Sequence, residues 1–97
     1  MKDKDDKFFE RADEHINVSN RQLEYATMNE VASSMLFGVT RFNSWISACG
    51  WETKEDMEKA KAETIRYFVS EYQKMLRENL EDYIVNFDHY MEISKKD

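Results

Sequence analysis

The chain contains no proline and only two glycines, Gly38 and Gly50, among its 97 residues. These residues mark most sharp turns and strand boundaries, so their scarcity disfavours a fold with many strands or long loops. The single cysteine, Cys49, excludes an intrachain disulfide and favours a reducing compartment. The composition therefore predicts one helical domain, residues 1–97, in the cytoplasm.

Basic residues are outnumbered by acidic ones, which gives a net charge of −6. Nucleic acids and anionic membrane surfaces attract proteins with excess Lys and Arg, so the charge argues against both partners. The first residues are charged and lack the apolar run of a signal peptide. Residues 31–50 carry one charge, Arg41, which would cost about 2.5–3.5 kcal/mol at the centre of a membrane. We therefore expect a buried helix there rather than a membrane span.

Helical periodicity predicts three helices, over about residues 6–25, 30–49 and 53–92, after a disordered N-terminus of residues 1–5. Thr27 and Glu30 have the spacing of a capping box that starts the second helix. The short connection before it predicts that the first two helices form an antiparallel hairpin. Gly50 is expected to end the second helix as a left-handed residue, and Thr53 to cap the third.

The third predicted helix is about 40 residues, or roughly 60 Å, long, whereas each of the first two measures roughly 30 Å. The hairpin would cover about half of it, and an exposed apolar patch of that size normally marks an interface. The predicted fold is all-α, an antiparallel helical hairpin followed by one long C-terminal helix, with the helical bundle completed by a two-fold homodimer, antiparallel or crossed. The predicted interface residues are Leu76, Leu80, Tyr83, Ile84, Phe87 and Met91.

A break near Asn79 is the alternative for this segment, because asparagine can cap a new helix and acidic residues follow it. The chain would then close as a compact four-helix monomer. The apolar stripe keeps its phase through Asn79, which favours the continuous helix.

Arg41 is the charged residue that the pattern singles out. A guanidinium inside a buried helix needs a carboxylate and further acceptors. Asp13, Asp82 and Glu78 are candidates for the carboxylate, and Asn20 or Asn43 could complete the polar cluster. One hypothesis is an anion-binding site between helices, for a phosphate or a carboxylate. The other is an internal ion pair that fixes the register of the helices.

Motifs for catalysis, metal ligation or cofactor binding are lacking. His15 and His89 do not form the Glu-x-x-His pairs of di-iron bundles, and no glycine-rich phosphate loop or nucleophile elbow occurs. We therefore expect no catalytic residue, no metal and no cofactor. The leading hypothesis is a non-enzymatic homodimer that serves as an interaction or regulatory module, with a possible protein partner. The alternative is a ligand-binding or catalytic helical bundle organised around Arg41.

Several short motifs resemble those of a known family: FERAD at residues 9–13 with Ile16 and Asn20, RFNSW at 41–45, YF at 67–68, and MLRENLEDYI at 75–84. Over about residues 8–91 the chain resembles a family of small proteobacterial proteins that is defined as a domain of unknown function. The resemblance implies an all-helical bacterial protein of the cytosol. It implies no activity, substrate, cofactor or residue role.

Overall fold

The computed structural model describes residues 5–96, with side chains to residue 92. All regular secondary structure in this range is helical, which confirms the predicted all-α class. The chain divides between Met57 and Glu58 into two compact units. The helices are α1 (Phe8–Gln22), α2 (Met28–Cys49), α3 (Lys54–Lys59), α4 (Lys61–Val85) and α5 (Phe87–Lys96).

The first unit is built on the antiparallel hairpin of α1 and α2. The Thr27 hydroxyl oxygen accepts from the Glu30 backbone N–H at 3.2 Å, and the Glu30 carboxylate accepts from the Thr27 N–H at 2.9 Å. This is the predicted capping box, which satisfies two backbone donors at the start of α2. Farther from the turn, the Ser19 hydroxyl donates to the Met35 sulfur at 3.3 Å and joins the two helices.

Val31 is the one buried residue among those whose side chains are described, with 6% of its surface exposed. The prediction that protein surrounds α2 is therefore wrong for the single chain, since Phe37, Phe42 and Trp45 are largely exposed. The physical reason is that α1 packs on one side of α2 and leaves the other sides open. An apolar surface all round a helix predicts that something covers it, but does not say what.

Gly50 follows α2 with a right-handed backbone, φ −86° and ψ −5°, so the predicted left-handed end is wrong. The last turn tightens instead. The backbone N–H of Gly50 donates to the Ser47 carbonyl oxygen at 3.0 Å, and the backbone N–H of Trp51 donates to the Ala48 carbonyl oxygen at 3.2 Å. These bonds span three residues, as in a 3₁₀-helix, and need no left-handed residue.

The predicted C-terminal helix corresponds to α3, α4 and α5, which are separated by single residues at Ala60 and Asn86. Thr53 caps the start of α3, where its hydroxyl oxygen accepts from the Asp56 N–H at 3.1 Å. Asn79 lies inside α4, so the alternative break near this residue is not found. Of the segment predicted to be disordered, residues 1–4 lie outside the described residues.

Candidate functional site

An apolar face runs along α4 into α5, and it includes every residue that we predicted at the interface. Leu80, Ile84 and Phe87 expose 53%, 72% and 56% of their surface, although each is an apolar side chain at helical spacing. We call this surface the C-terminal apolar face. Its residues are Ile65, Phe68, Tyr72, Leu76, Leu80, Tyr83, Ile84, Phe87 and Met91.

The C-terminal apolar face continues across the interruption at Asn86 because side chains from both helices meet there. The rings of Tyr83 and Tyr90 stack with centroids 4.4 Å apart. The Tyr90 hydroxyl donates to the Asp82 carboxylate at 2.8 Å, which raises the pKa of Tyr90 above its usual value. The Asn86 amide donates to the same carboxylate at 2.9 Å and to the Asp82 carbonyl oxygen at 3.1 Å.

This cluster explains why the helix changes at Asn86. An asparagine side chain that bonds to the carbonyl four residues earlier competes with the backbone for that acceptor. Asn86 has φ −109° and ψ 27°, outside the helical region, while Asn86 and Tyr90 still make the regular backbone hydrogen bonds. The deviation is therefore confined to one residue.

A second candidate surface is an open recess of about 650 Å³ on α2, beside Arg41. The Arg41 side chain is exposed, and its guanidinium makes no ion pair or hydrogen bond with any side chain described for residues 5–92. The expectation that Arg41 is buried with a carboxylate is therefore wrong for the single chain, since α1 does not cover this side of α2. The recess is lined by Phe37, Gly38, Arg41, Phe42, Ser44 and Trp45.

Asn43, Asp13 and Asn20, which we predicted near Arg41, lie on the two helices of the hairpin. Asn43 is half-buried on α2, and Asp13 and Asn20 are exposed on α1. No hydrogen bond or ion pair joins Arg41 to these three residues in the described part of the chain. Their grouping into one ligand site stays a prediction.

Two further observations concern metals and membranes. Within the described part of the chain, no three His, Cys, Asp or Glu side chains lie close enough to hold a metal ion. None of the helices described here combines the length and the apolar character needed to cross a bilayer. Cys49 is exposed.

The sequence analysis missed a polar cluster at the start of α1. The Arg11 guanidinium donates to both carboxylate oxygens of Asp5, at 3.1 and 2.8 Å, and the Lys7 backbone N–H donates to one of them at 3.0 Å. These bonds lower the pKa of Asp5 from 3.8 to about 2. A spacing of six residues fits no standard helical pair, so the sequence pattern did not reveal it.

Comparisons with known proteins give a family and a similar solved structure. A family model described as "Protein of unknown function (DUF3144)" matches residues 8–84. The NMR structure of the protein NB7890A from Shewanella sp is similar to this chain, with 37% sequence identity and a TM-score of 0.78. The match covers 93% of this chain and 96% of that one. No curated protein matches the chain.

Proposed function

This chain belongs to the DUF3144 family, as its resemblance to a proteobacterial family of unknown function predicted, and we propose that it is a non-enzymatic homodimeric interaction or regulatory module. The family description names no activity. The observation that carries the proposal is the C-terminal apolar face, which is exposed along α4 and α5. A second copy of the chain carries the same face and would cover it.

The single chain buries little apolar surface. Marginal stability of about 5–15 kcal/mol requires many apolar side chains to leave water, and each full burial contributes about 1.5–3 kcal/mol. Val31 is the one buried residue where side chains are described, whereas Leu80, Ile84 and Phe87 remain more than half exposed. Covering these three side chains and their neighbours against a second copy would supply the hydrophobic stabilisation that the single chain lacks. Dimerisation is thus proposed as part of folding.

The experiment compares Leu80→Asp with the matched control Ser70→Asp, which lies on the charged side of α4, by size-exclusion chromatography with light scattering. Both changes add one negative charge to α4, but only Leu80 belongs to the C-terminal apolar face. We expect the control to elute at twice the 11.7 kDa chain mass and Leu80→Asp to elute as a monomer or to unfold. Equal dimer masses for both variants would refute the proposed interface. A monomeric wild type would refute the homodimer.

Composition supports the rest of the proposal. The net charge of −6 disfavours nucleic acid and anionic membranes as partners, and the single cysteine favours the cytoplasm. The module would therefore act on other proteins, with no metal and no cofactor. Fractionation of cells that express the tagged chain tests the location, and an electrophoretic shift assay with duplex DNA tests the nucleic-acid prediction.

A second candidate function is an anion site at Arg41, and the open recess on α2 favours it. The guanidinium is unpaired among the described residues and lies beside Phe42 and Trp45, whose ring centroids are 5.6 Å apart. A cation next to aromatic rings suits a carboxylate that carries an apolar group. The recess is formed by one helix and is open to solvent, so we expect weak binding there.

Titration with benzoate, followed by the NMR signal of the Trp45 indole N–H, tests this second candidate. A saturable shift that disappears in Arg41→Gln and persists in the control Arg21→Gln would support the site. The control removes an exposed arginine from α1, away from the recess. An identical shift in both variants would show that the aromatic rings bind benzoate without the guanidinium.

A further inference from the structure

Charges of opposite sign are separated along residues 61–92 of α4 and α5, before the two lysines that end α5. From Lys61 to Arg77 the chain has four basic and two acidic side chains, whereas residues 78–92 have five acidic side chains and no Lys or Arg. The C-terminal apolar face runs through both segments. The basic side chains of the first segment are Lys61, Arg66, Lys74 and Arg77, and the acidic side chains of the second are Glu78, Glu81, Asp82, Asp88 and Glu92.

Ion pairs within the chain do not cancel this separation. Lys74 pairs with Glu71 at 3.0 Å, and Arg66 pairs with Glu63, so the two acidic side chains of the first segment are already neutralised. Lys61 and Arg77 have no ion pair with another described residue. None of the acidic side chains of residues 78–92 has one either, and Asp82 accepts only neutral donors. The first segment keeps surplus positive charge, and the second keeps all its negative charge.

The apolar residues are arranged symmetrically about Leu76, which lies close to the point where the charge changes sign. Tyr72 and Leu80 each lie four residues from Leu76, on opposite sides of it. Phe68 and Ile84 each lie eight residues from Leu76, and Ile65 and Phe87 each lie eleven residues from it. When two identical helices pair antiparallel across a two-fold axis, residues equidistant from the axis lie opposite each other. An axis beside Leu76 therefore sets apolar residues against apolar residues from Ile65 to Phe87, whereas Met91 lies opposite Lys61.

We propose that two copies of the chain pair antiparallel along the C-terminal apolar face, with the two-fold axis beside Leu76. The basic segment of each copy then lies against the acidic segment of the other. A parallel pair would instead bring residues 78–92 of both copies together, and like charges at close range oppose association. This inference rests on the proposed homodimer and adds its orientation and register.

Charge-reversal variants test the orientation. Variant one combines Lys61→Glu with Arg77→Glu, variant two combines Glu78→Lys with Glu92→Lys, and variant three carries all four changes. In the proposed register, Lys61 lies next to Glu92 of the other copy and Arg77 lies close to Glu78 of the other copy. Variants one and two each place like charges at both contacts, and variant three places opposite charges there again. We expect the first two to weaken dimerisation by about ten-fold or more at low salt, and the third to recover most of the loss. Sedimentation equilibrium measures the dimer dissociation constant.

The net charge is controlled in two ways. Variant two brings the net charge closer to zero, so an effect of total charge alone would strengthen its dimer. A control with Arg21→Glu and Lys54→Glu changes the net charge as variant one does but lies outside α4 and α5. Weakening by this control equal to that of variant one, or a tighter dimer in variant two, would overturn the charge argument.

Disulfide trapping tests the register in a Cys49→Ser background. Residues 65 of the two copies would lie about 33 Å apart in the proposed pair, whereas residue 65 of one copy faces residue 87 of the other. A disulfide needs Cα atoms within about 7 Å. We therefore expect Ile65→Cys and Phe87→Cys to cross-link when the two variants are mixed and refolded together, but neither to cross-link alone.

The outcomes separate this inference from the proposed function. Cross-linking of Ile65→Cys with itself would indicate a parallel pair and overturn the orientation. A particle of twice the chain mass that gives no cross-link in the mixture would overturn the register and leave the homodimer standing. A monomeric mass for the Cys49→Ser background would overturn both. Circular dichroism of each variant confirms that it is still helical.

Discussion

The Tyr90 hydroxyl donates a 2.8 Å hydrogen bond to the Asp82 carboxylate, eight residues earlier in the chain and across the interruption at Asn86. Tyr83 stacks on the same tyrosine ring. Together these contacts join α5 to α4, so that the C-terminal apolar face extends beyond the residue where the helix deviates.

We predict that Tyr90 ionises above its usual pKa of 10.0, because the phenol must give up its hydrogen bond to Asp82 and ionise beside a carboxylate. A pKa raised in the folded state means that the bond stabilises the fold fully below about pH 10. The contribution is lost as the pH rises through the higher folded-state pKa. Ultraviolet titration of the phenols should show a component that ionises above the usual tyrosine pKa, and we assign it to Tyr90. It should be missing in Tyr90→Phe and present in the control Tyr25→Phe.

Asp5 should titrate at a pKa of about 2, well below its usual 3.8, because Arg11 donates two hydrogen bonds to its carboxylate. A lowered pKa means that this contact stabilises the start of α1 above about pH 3.8 and is lost as the pH falls towards 2. NMR titration of the carboxyl carbon measures it. Arg11→Gln should move the midpoint towards 3.8, and Arg21→Gln should leave it unchanged. An Asp5 midpoint near 3.8 in the wild type would show that the pair does not form in solution.

Val31→Ala should lower the free energy of unfolding by about 1.5 kcal/mol or more, since it removes two buried methyl groups from the hairpin. Val85→Ala is the matched control, because Val85 is 80% exposed where Val31 is 6% exposed. We expect the control to change stability by less than about 0.5 kcal/mol. Urea unfolding at one fixed protein concentration compares the two. Equal effects would mean that Val31 is not the centre of the α1–α2 contact.

Gly38→Ala should raise the free energy of unfolding by about 1 kcal/mol, because glycine is a poor helix former and Gly38 lies inside α2. A methyl group built at this position meets nothing within 4 Å. The prediction distinguishes the two candidate surfaces, since we place the dimer contact on α4 and α5 and not on the recess beside Arg41. A loss of stability in Gly38→Ala would indicate that another chain approaches α2 closely at this point.

The sequence was sufficient to predict a helix boundary where that boundary depends on residues close together in the chain. Thr27 and Glu30 predicted the start of α2 because a capping box needs only residues three apart. It was not sufficient at the interruption of the long helix. Asn79 and Asn86 both donate a side-chain hydrogen bond to the carbonyl four residues earlier, yet the helix changes only at Asn86. The difference is that the Asp82 carboxylate also accepts from Asn86 and Tyr90, and apolar periodicity carries no information on such polar side-chain bonds.

Arg41 shows how far the sequence alone predicts the candidate site. Its apolar neighbours predicted burial on every side, but the hairpin covers one side of α2 and leaves the guanidinium open. Periodicity identifies a face that avoids water without identifying the molecule that covers it. The C-terminal apolar face was predictable residue by residue for the same reason, while its occupant was not.

We propose above that a second copy of the chain covers the C-terminal apolar face. Isotope-filtered NMR on a mixture of ¹³C-labelled and unlabelled chains tests it directly, because only contacts between copies give signals. The account predicts intermolecular contacts between the methyl groups of Leu76 in the two copies, and from Ile84 to the ring of Phe68. An absence of intermolecular signals at these residues, in a sample that tumbles as an 11.7 kDa monomer, would contradict it.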